Sequence, residues 1–350
     1  MPDLRNNLFY YATKELSQDA FICWLCSYAL EDVSERDEAL RECAIDLVGA
    51  FVEEKGLDKS KVVLKDVQKQ IGNIDVLLTA SCEGNEYKII VEDKIFASEH
   101  GGQLERYKSN VGKEVQDDAI VCIYFKTGFQ SDYTKVEQAG YIVFDRRRLL
   151  SILEPYASKT DNRVFLDYYE YWKDFETITQ SYRTVPLSEI NDKRQVYGFF
   201  EDLQSCIRLD QKKMWAEFGY VPNASGGFHG LWFGMYDDVI EIDSLKAALY
   251  LQLELKWEED HYGHKICLKL ENQSDKKNER FGELKWKFVG ALGDFGFVKP
   301  KRLGSGMHVT VGMYVYNQVA DCNGLKSIVL EAINQYRKLF DVVKKGLPVK

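Results

Sequence analysis

NIDVLLTASCEGNEYKIIVEDKIFASEHGGQLERYK, residues 73–108, reads as two apolar strands joined by a Glu-Gly-Asn turn. A short helix opened by Gly101-Gly102 follows. The second strand ends in Glu92-Asp93-Lys94, and Asp75 sits inside the first. Carboxylates and a lysine in strands that otherwise read as core are costly to bury. Alternation puts Glu92 and Lys94 on one face of their strand and Asp93 on the other. A short connection sets Asp75 on the neighbouring strand. Asp75 and Glu92 can then share one divalent ion, which would offset the cost of burying them. Magnesium suits such a pair, with manganese as the alternative, because it takes one or two carboxylates and completes its shell with water and phosphate oxygens.

Outward from this stretch the pattern is that of an α/β domain. Residues 17–30, SQDAFICWLCSYAL, are apolar on nearly every face and predict a buried helix with Ser17 as N-cap and Asp19 in its first turn. A second helix is expected at about 34–55, then strands at 61–68, 73–80 and 86–96. The helix QLERYKSNV follows, with strands at 118–128 and 140–147 beyond it. The central strands are apolar on both faces and so are covered on both. A long aromatic helix at 161–182 closes this half, and its stripe of Phe165, Tyr168, Tyr169, Trp172 and Phe175 is spaced for packing. Residues 183–192 read as a linker or sharp turn. Beyond them come a helix at 193–209, strands near 229–243, 247–257 and 264–272, a helix at 279–292, a strand at 306–317 and a final helix at 324–345. The expected boundaries are 1–184 for the α/β domain and 193–350 for an α+β domain with an antiparallel sheet.

The order Asp75, then Glu92-x-Lys94 on the next strand, resembles the signature of the PD-(D/E)XK nuclease superfamily. Ile74 stands where the superfamily most often has proline. Gln103-Leu-Glu-Arg-Tyr107 resembles the Gln-x-x-x-Tyr motif of its RecB-type members, and helical spacing puts Gln103 and Tyr107 on one face. The segment Glu15-Leu-Ser-Gln-Asp-Ala-Phe is similar to the start of a group of uncharacterised bacterial members. The resemblance covers roughly residues 8–150. It implies a restriction-endonuclease-like core, a mixed central sheet flanked by helices, with metal-dependent nuclease activity. It also implies roles: Asp75 and Glu92 as metal ligands, Lys94 beside the attacking water, Gln103 and Tyr107 on the nucleic-acid backbone or ordering the site, and Glu15 as an additional acidic residue.

Other constellations carry less. Cys23-Trp-Leu-Cys26 has redox spacing but lies in an apolar helix, where packing is the better reading. His261-Tyr-Gly-His264 with Cys267 has ligand types for zinc, yet Tyr-Gly reads as a hairpin tip and Cys267 as strand core. Two basic stretches, Asp145-Arg146-Arg147-Arg148 at a strand end and Lys299-Pro-Lys301-Arg302 in a loop, are candidate phosphate contacts through Arg146, Arg147, Lys301 and Arg302. The net charge of −9 confines any nucleic-acid face to such patches and points to a homodimer or protein partner that completes a groove. No run approaches the roughly 18 to 20 apolar residues a membrane span needs. The N-terminus has no basic start followed by an apolar run, so no secretory signal is expected. Eight dispersed cysteines among apolar neighbours favour reduced thiols and a cytoplasmic setting. The expected function is hydrolysis of nucleic-acid phosphodiesters, DNA foremost, in defence, repair or recombination. The alternatives are a non-catalytic binding module on the same fold and hydrolysis of another phosphate ester.

Overall fold

The computed structural model describes residues 6–33, 37–210, 213–224, 226–274 and 278–347. The chain divides into two compact units, Met1–Thr177 and Ile178–Lys350, and the division falls within a helix.

The first unit begins with helices α1 (Leu8–Tyr11), α2 (Glu15–Ser27) and α3 (Glu38–Glu53). Strands β1 (Val62–Ile71), β2 (Ile74–Cys82) and β3 (Asn85–Lys94) form a meander. Its two turns, Gly72-Asn73 and Glu83-Gly84, are two-residue loops with positive φ at both positions. Such turns match the right-handed twist of the paired strands and fix their register. Helix α4 (Gln103–Val111) leads to β4 (Ile120–Lys126), α5 (Thr134–Gln138), β5 (Ile142–Asp145), α6 (Arg146–Leu153) and α7 (Arg163–Gln180). The sheet order is β1-β2-β3-β4-β5, antiparallel through the meander and parallel from β3 to β5, a mixed sheet as expected.

Helices cover both faces. Phe21, Leu25, Leu47, Phe51, Leu149 and Trp172 pack with Ile89, Val91, Phe125 and Phe144 on one side. Leu104, Val111 and Val136 pack with Ile90, Cys122 and Tyr124 on the other. Each fully buried Leu or Phe contributes about 1.5–3 kcal/mol to this arrangement. The odd members of β3 therefore face α2 and α7, and the even members, Glu92 and Lys94 among them, face α4. After β4 the chain passes so close to the end of β3 that a Cβ on Gly128 would lie 1.9 Å from the Ile95 carbonyl oxygen. Glycine is what lets the two strand ends converge there.

Two local expectations are corrected. Helix α2 starts at Glu15 instead of after Ser17, with Lys14 at the N-cap and no side-chain cap. The Glu15 carboxylate accepts from the Ile95 backbone N–H at 3.1 Å, so a tertiary bond replaces the local one. Asp145 ends β5, but the strand does not run on into the arginines. Asp145 caps α6 by accepting from the Arg148 N–H at 2.8 Å, and the arginines form the first turn of that helix.

The second unit holds α8 (Lys193–Asp210), β6 (Met214–Val221), β7 (Phe228–Met235), β8 (Val239–Ile242), β9 (Leu245–Glu258) and β10 (His261–Asn272). It ends with α9 (Glu279–Ala291), β11 (Phe297–Val298), β12 (His308–Tyr314) and α10 (Cys322–Lys345). The strands form one antiparallel sheet, β11-β12-β10-β9-β7-β6, with β8 paired to β9. Residues 183–192 are no free linker. Leu187 and Ile190 are buried, and their backbones bond to Ala320 and Tyr262. The turn before β10 is at Glu259-Asp260, not at Tyr262-Gly263, so His261 and His264 lie within a strand, three residues apart and on opposite faces.

Candidate active site

Four segments, α2, β2, β3 and α4, converge at the C-terminal end of β3. Lys94 is the hub, only 7 % exposed. Its ammonium contacts Glu92 Oε1, lies 3.6 Å from Asp75 Oδ2 and donates to the Asp93 carbonyl at 2.9 Å. Glu92 Oε1 also accepts from Gln103 Nε2, so the first residue of α4 orients this carboxylate. Asp75 Oδ2 accepts from the Asp93 N–H at 3.0 Å across the sheet. Tyr107, one turn after Gln103, is half-buried on the same helix face. Glu15 reaches the strand end through Ile95.

A second layer of buried polar groups lies behind this one. Asp93 faces the opposite side of the sheet, and its Oδ1 accepts from Gln18 Nε2 at 2.5 Å. Gln18 is held in turn by Tyr168, whose hydroxyl donates to Gln18 Oε1 at 2.9 Å. The Asp19 and Asp93 carboxyls lie close enough to repel each other, and Asp19 Oδ1 and Asp93 Oδ2 are buried without a hydrogen-bond partner. Burial, reinforced by the mutual repulsion, holds Asp93 well above the carboxylate range. Burial and the nearby Asp75 charge push Asp19 up to about 6.

Charge at the hub follows from the same geometry. Burial and then Asp75 raise Glu92 to about 7, and the attraction of Lys94 only partly opposes them. Lys94 itself is pushed down by burial, but Glu92, Asp75 and Glu15 together outweigh this and hold its pKa above the usual lysine value. Lys94 is therefore a fixed cation and no base at neutral pH. The Tyr107 hydroxyl is raised, by burial and then by the charges of Glu92 and Asp75.

The donors present fit a hard divalent cation. Glu92 Oε2 is buried and has no hydrogen-bond partner, so one lone-pair side of this carboxyl is left for a ligand. Among the described residues no group of three or more His, Cys, Asp or Glu side chains is arranged to hold a metal. The protein would thus offer two carboxylates and leave the remaining positions to water and phosphate oxygens, the pattern magnesium favours.

The basic candidates separate. Arg146 is buried, with its guanidinium 4.6 Å from the Phe175 ring centroid and 5.2 Å from that of Phe129. It pairs with Glu176 at 2.7 Å and donates to the Thr127 carbonyl, so it braces β4 against α7 and offers no charge at the surface. The expectation of a phosphate contact there is corrected. Arg147 is exposed and shares Glu176 at 2.9 Å. Lys301 and Arg302 are exposed in the loop between β11 and β12 of the second unit. The cysteines are free among the described residues, and burial raises Cys23 to about 11 and Cys26 further, as inert core thiols.

The sequence reading missed Lys126, which ends β4 directly beside Lys94 in register. The signal was the same as for Lys94, a lysine closing a wholly apolar strand. Its side chain is buried and donates to the Ala97 carbonyl at 2.5 Å, tying down the loop before α4. Burial lowers its pKa to about 8, with the Glu15 charge resisting and Lys94 assisting. Because the folded value lies below the ordinary 10.5, the penalty for a charged Lys126 is full below about pH 8. It fades as the pH rises toward the unfolded value. Between pH 7 and 10 the parent chain should gain about 3 kcal/mol relative to Lys126→Met. Denaturant unfolding of both at the two pH values tests this, and parallel behaviour would refute it.

A family profile of the PD-(D/E)XK nuclease superfamily matches residues 7–184, just over half of the 350-residue chain. The chain belongs to that superfamily. Neither a curated protein nor a solved structure matches it. Superfamily membership accounts for the mixed sheet of the first unit and suggests nuclease activity and nucleic-acid binding. No helix among the described residues is long and apolar enough to cross a membrane.

Proposed function

We propose that the chain is a divalent-metal-dependent nuclease that hydrolyses DNA phosphodiesters, serving defence, repair or recombination in the cytoplasm. The observation that carries this reading is the convergence of Asp75, Lys94 and Gln103 on the Glu92 carboxylate, whose Oε1 Lys94 and Gln103 share and whose Oε2 is left without a partner. Asp75 and Glu92 would hold magnesium, or manganese in its place. Bound there, the ion supplies Lewis acidity to a phosphoryl oxygen and makes water a better nucleophile at neutral pH. Lys94, cationic throughout, orients the attacking water and stabilises negative charge growing on the phosphorus oxygens. Gln103 fixes the Glu92 carboxylate, and Tyr107 meets the nucleic-acid backbone. Glu15 anchors the strand end that carries Lys94. With a net charge of −9, a second copy or a protein partner completes the DNA groove, with Arg147, Lys301 and Arg302 as phosphate contacts.

One observation favours the rival reading, a nuclease fold retained as a non-catalytic binding module: Lys94 is almost sealed between two carboxylates. Incubation of labelled single- and double-stranded DNA with magnesium, manganese or EDTA separates the two. Cutting that EDTA abolishes is the expected result. Retention of DNA without cutting under any metal would favour the module. Sedimentation of a lone monomer that cuts unaided would remove the partner from the proposal.

A further inference from the structure

Gln70 lies between the register pairs Lys69–Val76 and Ile71–Ile74, directly across the β1–β2 ladder from Asp75. Its φ is +57°, a left-handed conformation that residues with a Cβ seldom adopt. The hairpin turn itself is made by Gly72 and Asn73, so this second departure is not part of the two-residue turn. It accompanies a side-chain amide that donates to two carboxylates at once: Asp19 Oδ2 at 2.9 Å and Asp75 Oδ1 at 3.3 Å. An ionised carboxylate can only accept, and Asp75 and Asp19 both face this end of the amide, which makes it the nitrogen end. Asp19 is 1 % exposed on α2, so the far end of the bridge is anchored in the core.

We propose that Gln70 is a positioning residue for Asp75. Its amide ties one Asp75 oxygen to the buried Asp19, while the Asp93 N–H ties the other, and together they hold Asp75 in its ligating orientation. The inference rests on the metal centre proposed above. It goes beyond that reading by assigning a role to a residue outside the motif, on a strand that carries none of it. Groups that orient a metal ligand are worth about 10- to 100-fold in metal affinity.

The test is calorimetric titration of the full chain with manganese alone, alongside thermal unfolding in EDTA. Gln70→Met keeps the side chain's length without its N–H donors, and Gln70→Gly removes the side chain while relieving the left-handed backbone. Both should bind manganese at least about tenfold more weakly. Gln70→Gly should melt no lower than the parent, which a merely structural role would not allow. Parent-like affinity in Gln70→Met overturns the proposal, as does a fall in melting temperature that accompanies every loss of affinity. Asp75→Asn in the same titration keeps the two readings apart. If it binds manganese like the parent, the metal centre itself is wrong. If it loses binding and Gln70→Met does not, the positioning role alone fails.

Discussion

Lys94→Met is expected to cut DNA roughly 10²- to 10³-fold more slowly than the parent chain while still binding manganese. The reason is the division of labour in the site. Asp75 and Glu92 are the groups that would hold the ion, and Lys94 competes with it for both carboxylates. Removing the ammonium therefore leaves the ligands in place and takes away the charge that would face the reacting phosphate. Breaking a buried ion pair ordinarily costs about 3–5 kcal/mol, because the abandoned partner stays charged. Here Glu92 already takes up a proton near pH 7, so protonation limits the loss. Asp75→Asn should differ in kind, losing cutting and manganese binding together. Single-turnover cleavage and calorimetry on both variants distinguish these outcomes. A Lys94→Met protein that cuts within tenfold of the parent would remove Lys94 from the mechanism.

Glu92→Gln should be inactive and, without metal, gain stability over the parent as the pH rises. The fold raises Glu92 from an ordinary 4.5 to about 7, so it favours the protonated acid. The stability associated with that proton is present at pH 4.5 and below. It is lost as the pH climbs through 7, when the carboxylate must ionise in a buried site. Glutamine has no proton to lose. In EDTA, the difference in unfolding free energy between Glu92→Gln and the parent should thus move by about 3 kcal/mol in favour of the variant from pH 4.5 to pH 8. Manganese at pH 8 should then raise the melting temperature of the parent and leave that of the variant unchanged. A free-energy difference that stays constant with pH would mean that Glu92 is not strained by ionisation. A variant stabilised by manganese like the parent would mean that it is no ligand.

The parts of this site that could be read in the sequence were polar residues breaking a strong pattern. Asp75, Glu92 and Lys94 interrupt apolar strands, and Gln103 opens a helix four residues before an aromatic. The parts that could not be read depend on partners far along the chain. Arg146 looks like the start of a basic patch, and only Glu176, thirty residues later on α7, with Phe129 and Phe175, turns it into a buried brace. Asp19 reads as a first-turn acid on α2, and its bond to Gln70 exists only once that helix lies on the sheet. The start of α2 lies three residues before the one its local sequence suggests for the same reason, since the Ile95 N–H occupies the Glu15 carboxylate. Strand β6 is different. Met214, Ala216 and Phe218 are buried alternately with exposed Glu217, a period of two that was present to be read.

The meander has a kinetic meaning as well. Asp75 and Glu92 sit on adjacent strands joined by a two-residue turn, so the chain closes only a short loop to bring them together. Glu15 must close 80 residues to reach Ile95, and Gln18 must close 109 to reach Thr127. Loop-closure entropy grows with the length enclosed, and contacts distant in sequence are slower to form. On that cost alone the two acidic side chains meet early, as neighbours in a nascent hairpin, and repel each other without their lysine's fixed surroundings. The helix that supplies Glu15, Gln18 and Asp19 docks afterwards, closing a centre whose two acids are already side by side.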